Sequence, residues 1–154
     1  MEKTNVMRLL DVANVPYTAH AYDETLTDGV SVANALGQDP ERTFKTLVTT
    51  DGKKGYFVFV VPVSSTLHLK KAAKAVGAKS IEMIPQRELL PLTGYVHGGC
   101  SPIGMKKQFC TVVEETAQLF DTIFFSAGKR GYQVELAPDD FAKLVGAKYE
   151  DITE

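Results

Sequence analysis

The sequence predicts an α+β domain built around one strongly twisted sheet. Three observations carry that prediction. Strand-like segments outnumber helical ones, and the helices are scattered among the strands instead of alternating with them. "YFVFVVPV" (56–63) is apolar on both faces, which puts it in the middle of a sheet that is covered on both sides. The chain has 154 residues, 44% hydrophobic and 23% charged, which suits one domain over 1–154 with one core.

The elements follow in order. A first helix is expected over 4–14, with Thr4 as its cap and Val6, Leu9, Leu10 and Ala13 on one face. "VPYTAHAY" (15–22) breaks that helix at Pro16 and reads as extended. A short helix follows Asp28 through "GVSVANALG" and ends at Gly37. "FKTLVTT" (44–50), a polar turn (51–55) and "YFVFVVPV" form a hairpin. In "LHLKKAAKAVG" (67–77), Leu69, Ala72, Ala73 and Val76 line one helical face and Gly77 suits the stop. Lys70, Lys71 and Lys74 lie opposite, as a solvated face, and His68 stands where it can cap the start. "KSIEMI" reads as a strand and "PQRELL" as a helical turn begun by proline. "FCTVVEE", "DTIFFSA" and "YQVELA" are strand-like, with "GKRG" (128–131) joining the last two. "PDDFAKLVG" (138–146) makes a final helix, acidic in its first turn and closed by Gly146.

Charge and cysteine usage narrow the classes of function. A net charge of -2, from 17 basic and 19 acidic side chains, argues against a DNA-coating protein but leaves room for a local RNA-binding patch. No apolar stretch has the length of a bilayer span, and the N-terminus lacks a signal-peptide layout. Cys100 and Cys110 form neither a metal-ligand spacing nor a disulfide framework, so the chain reads as a cytoplasmic protein with free thiols. His20 and His68 show no metal-ligand pattern, and no Walker A or dinucleotide fingerprint is present.

The most unusual stretch is "GGCSPIG" (98–104). Glycine weakens a strand context, so its concentration here means a sharp turn or a need for close access to backbone amides. Several nearby residues carry two readings each. Lys45 shares a strand face with Leu47 and Thr49, as an edge-strand charge or as a cation pointing into a cleft. Cys100 with His97 suggests a nucleophile pair, but a free cysteine more often packs as a small apolar group. Lys129 and Arg130 form a solvated hairpin turn or a contact to nucleic-acid phosphate, which Lys106 and Lys107 would join.

Taken together, "HAYD" (20–23), "DPERTFKTLV" (39–48), "LKKAAKAVGAKSIEM" (69–83), "TGYVHGGCSPIGMKK" (93–107), "FFSAGKRG" (124–131) and "VELAPDDFAKL" (134–144) resemble the YbaK family of aminoacyl-tRNA deacylases. The same fold forms the editing domain of bacterial prolyl-tRNA synthetases. The resemblance implies a mixed, partly barrel-like sheet flanked by helices. It implies hydrolysis of Cys-tRNA(Pro), with Cys-tRNA(Cys) as a further substrate, no cofactor or metal, and prolyl-tRNA synthetase as a partner. The alternatives are a deacylase for another small amino acid such as alanine, a non-catalytic module that binds tRNA or a synthetase, and a Cys100 thiol enzyme.

Residue by residue, Lys45 matches the lysine that holds the substrate end of the tRNA, and Tyr22 a tyrosine of the same pocket. Gly98, Gly99, Ser101 and Pro102 match the loop beside the ester, where glycine amides would stabilise the developing oxyanion. Asp28 stands where some relatives carry an aromatic, and Gln133 where some carry an aspartate; both are expected at the pocket rim. In the family the substrate's own cysteine thiol attacks its ester, so no protein nucleophile is required, and relatives that edit alanine use water instead.

Overall fold

The computed structural model describes residues 1–154. Helix α1 (Asn5–Val12) starts where Thr4 accepts a hydrogen bond from the Met7 amide. Its buried stripe is Val6, Met7 and Leu10; Leu9 and Ala13 are exposed, because the helix turns its Met7 edge to the core. Strand β1 (Thr18–Ala21) leads to α2 (Gly29–Ala35), capped by Asp28 through the Ser31 amide. The hairpin is β2 (Phe44–Thr50) and β3 (Tyr56–Pro62); Asp51 closes its turn by accepting from the amides of Lys53 and Gly55.

Helix α3 (Leu69–Ala75) is capped by His68, whose Nδ1 accepts from the Lys71 amide. Leu69 is exposed, since the first turn of this helix reaches solvent. Lys71 is not a free solvated charge: its ammonium binds the Asp151 carboxylate and the Thr153 carbonyl. The expected strand near residue 80 shrinks to β4 (Glu82–Met83), followed by a 3-10 turn and α4 (Leu89–Thr93). The chain continues through β5 (Cys110–Glu114), β6 (Ile123–Ser126), β7 (Tyr132–Leu136) and α5 (Pro138–Val145) to β8 (Lys148–Glu150). Nothing in the sequence pattern announced β8. Buried Glu114 anchors the segment that follows it by accepting from the Ile152 amide and the Thr153 hydroxyl.

The fold class stands, but the strands divide between two sheets. A mixed five-stranded sheet runs β4-β2-β3-β5-β8, and an antiparallel three-stranded sheet runs β1-β7-β6. One parallel bridge, Thr43 to Phe124, connects them. Arg42 braces the connection: its guanidinium reaches the Thr122 carbonyl and hydroxyl and the Glu135 carboxylate, and lies over the Phe124 ring. His20 completes the cluster through Glu135. As its apolar run predicts, β3 is central. Val58 and Val60 enter the larger core, Phe59 and Val61 the smaller, and all four are fully buried.

Candidate active site

A cavity of about 410 Å³ opens where the two sheets meet. Its walls are the start of β2, the N-terminal end of α2, the glycine loop after α4, and the β6–β7 hairpin. Lys45 and Leu47 both line it, and so do Phe44 and Thr46 from the other face of the strand, because the cavity wraps the start of β2. Lys45 is partly buried beside the cavity. Burial pushes its ammonium pKa down, and the Asp28 carboxylate partly offsets that. Asp28 is itself held below the usual carboxylate range, mainly by hydrogen bonds from Ser31 and in smaller part by Lys45.

The glycine loop has a specific construction. Gly98 has φ +86°, and a Cβ there would meet Thr27 Cβ at 3.1 Å and Arg130 Nε at 3.2 Å. A Cβ on Gly99 would come within 3.0 Å of the Arg130 backbone nitrogen. The chain therefore turns sharply at Gly98 and packs backbone to backbone at Gly99. The Gly99 amide donates to the Val96 carbonyl at 3.0 Å, which commits it to the turn. The amides of Gly98 and Cys100 make no hydrogen bond within the chain, and both residues line the cavity. Of the two glycines the sequence singled out, the Gly98 amide is unpaired and the Gly99 amide is not.

Ser101 and Pro102 are buried beneath the loop and do not line the cavity. The Ser101 hydroxyl accepts from the Ile103 amide, and Tyr95 donates to the Ile103 carbonyl at 2.5 Å, so this part of the loop is a foundation. Burial pushes the Cys100 thiol up to about 12, so it is neutral near pH 7, and His97 is exposed. That is the opposite of the environment an activated nucleophile needs.

Tyr22 and Gln133 line the cavity as expected. Burial raises the Tyr22 phenol, although the Gly131 amide and the Arg130 charge work against that rise. Gln133 is 2% exposed and exchanges two hydrogen bonds with Gln38, at 2.7 and 3.0 Å. It is a cavity wall, not a rim. The pattern of the sequence missed Gln38, and also Thr46, whose buried hydroxyl at the cavity has no partner within the chain.

The basic residues are largely engaged. Lys129 binds Glu2 at 2.8 Å and lies over the Tyr132 ring. Arg130 donates through Nε to the His97 carbonyl. Lys106 reaches the Pro91 carbonyl, while exposed Lys107 makes no such bond. "GKRG" is a hairpin turn with left-handed glycines at both ends, and it also braces the glycine loop.

Chemically, the cavity is lined by one ammonium, that of Lys45, and by two residues whose amides have no partner within the chain, Gly98 and Cys100. The sequence pattern of the aminoacyl-tRNA editing domain matches residues 24–144. The chain is 47% identical to the Enterococcus faecalis protein named "Putative Cys-tRNA(Pro)/Cys-tRNA(Cys) deacylase EbsC", over 99% of this chain and 94% of that one. It is 30% identical to the "Proline--tRNA ligase" of Nautilia profundicola, over 79% of this chain but 22% of the ligase. The solved structure of "a putative trans-editing enzyme for prolyl tRNA synthetase" shares the fold, with TM-score 0.82 at 23% identity, over 97% of this chain and 94% of that one. The matched region holds both α2 and the glycine loop and runs into α5, and by that extent the chain belongs to the aminoacyl-tRNA editing domain family.

Proposed function

We propose that this protein is a trans-editing aminoacyl-tRNA deacylase that removes cysteine from Cys-tRNA(Pro), and from Cys-tRNA(Cys). The observation that carries the reading is the placement of Lys45 in one cavity with the unpaired amides of Gly98 and Cys100. Lys45 holds an oxygen of the terminal ribose or phosphate. The two amides stabilise the negative charge that develops on the ester oxygen.

The nucleophile in this reading is the thiol of the substrate cysteine. Its sulfur bonds to the ester carbonyl carbon, the bond to the ribose oxygen breaks, and the thiol proton passes to that oxygen. The tRNA leaves with a free hydroxyl and cysteine leaves as a cyclic thioester, which water opens. The protein contributes positioning and electrostatics. The neutral, buried Cys100 thiol supports this over a protein thiolate.

Selection of the tRNA falls to a second protein, with prolyl-tRNA synthetase as the partner. The net charge is -2, and Lys129, Arg130 and Lys106 already serve partners within the chain, which leaves Lys107 as the one unengaged member of the basic patch around the glycine loop. The test is single-turnover hydrolysis of tRNA(Pro) and tRNA(Cys) charged with Cys, and of tRNA(Pro) charged with Ala, Ser or Pro, with and without the synthetase. Cysteine esters are expected to be cleaved fastest. Faster cleavage of the alanine ester would replace the thiol route by attack of water.

A further inference from the structure

The cavity is lined by one carboxylate, Asp28, and one primary amine, Lys45. They are near enough to feel each other's charge, yet they form no direct ion pair. Neither is consumed by the other, and a ligand can bridge them. Asp28 caps α2 through Oδ2, which accepts from both the amide and the hydroxyl of Ser31. Oδ1 stands outside that cap.

The opposite wall carries no second carboxylate. Its polar group is Gln133, locked as a neutral amide by Gln38. All formal negative charge in the cavity therefore stands at Asp28.

An aminoacyl ester presents two groups to such a site. The ester and ribose oxygens accept hydrogen bonds, and a free ammonium sits on the carbon beside the carbonyl. Their recognition needs a cation and an anion held apart, which is the arrangement of Lys45 and Asp28. We propose that Asp28 recognises the α-ammonium of the substrate, so that the site takes aminoacyl esters with an unblocked amine and rejects N-acylated ones such as peptidyl-tRNA. The inference rests on the deacylase reading above. Acylation removes the charge and with it the charge-assisted hydrogen bond.

The probes are adenosines that carry cysteine or alanine through a non-hydrolysable 3′-amide, each with a free or an N-acetylated amine. Binding is measured by calorimetry. The wild type is expected to favour the free amine by roughly 10-fold or more, the scale of one hydrogen bond to a charged group. Asp28→Asn keeps a good helix cap, and a thermal melt checks that it is folded. It is expected to bring each pair of analogues within about twofold of one another as that hydrogen bond loses its charge. Equal binding of the pair by the wild type, or a preference that survives Asp28→Asn, overturns the proposal and leaves the deacylase reading intact. Failure of the wild type to bind any of the four overturns both.

Discussion

Arg130 donates a hydrogen bond of 2.8 Å from Nε to the carbonyl of His97, and so ties the β6–β7 turn to the glycine loop. A basic residue in an exposed hairpin turn would ordinarily be assigned to nucleic-acid phosphate. Here its first partner is the backbone immediately before Gly98. Arg130→Ala is expected to lower single-turnover deacylation by up to about 100-fold, the effect of misplacing a reacting group by about 1 Å. The salt dependence of tRNA binding separates the two roles. A brace leaves the slope unchanged, whereas loss of one phosphate contact lowers it by about 0.7–0.9.

Lys45→Ala is expected to remove most activity, also on the order of 100-fold, with little change in melting temperature. Its side chain is partly buried and lies in no ion pair, so its removal also relieves a desolvation penalty. Lys45→Arg should restore little, because a planar guanidinium presents its donors differently from an ammonium. Turnover by Lys45→Ala near the wild-type rate would reduce the lysine to a strand charge.

The protein's thiols are expected to be dispensable. A Cys100→Ser, Cys110→Ser double variant should cleave Cys-tRNA at a rate near wild type, because Cys100 is neutral and Cys110 lies exposed away from the cavity. A folded but inactive double variant would return the chemistry to Cys100.

Gly99→Ala tests the packing of the loop. Its Cβ would press on the Arg130 backbone nitrogen at 3.0 Å, and backbone cannot swing aside. Overpacking of this kind costs about 1–3 kcal/mol, read as a fall in denaturant midpoint. Unchanged stability would show that the loop and turn separate freely.

Acid should weaken the clasp around Glu135. Burial raises the pKa of this carboxylate, but hydrogen bonds from Thr122 and His20 and the Arg42 charge outweigh burial and leave it below 4.5. Its contribution is complete above the unfolded value and is lost as pH falls through the folded one. The gap in melting temperature between wild type and Glu135→Gln should therefore narrow below about pH 4. A gap that widens in acid would reverse the sign assigned to this group.

Much of the fold was legible because its signals are local. Thr4, Asp28 and His68 cap helices where the sequence places them, and the two-faced apolar run of β3 fixes the sheet's centre. The three residues of β8 are too few to show a period, and its pairing with β5 depends on the whole chain. In the site, alternation gave Lys45 its face with Leu47, and the family resemblance gave that face its meaning. Gln38 was invisible for a different reason. Its partner Gln133 lies 95 positions away, and an amide in a loop carries no motif. The glycine loop was located correctly, but only hydrogen-bond geometry could show that the Gly99 amide is already committed while that of Cys100 is free.

The single backbone bridge between the two sheets has a mechanical consequence. Lys45 belongs to one sheet and Gln133 to the other, so an ester seated between them straddles a seam that the backbone stitches at Thr43 and Phe124. The ligand then acts as a splint. Occupancy stabilises the folded state by mass action, and its grip on both halves opposes their separate opening. Amide exchange in β1, β6 and β7 should slow along with that in β2 when the analogue binds, because the ligand adds a tie across the seam to the apolar core that both sheets share.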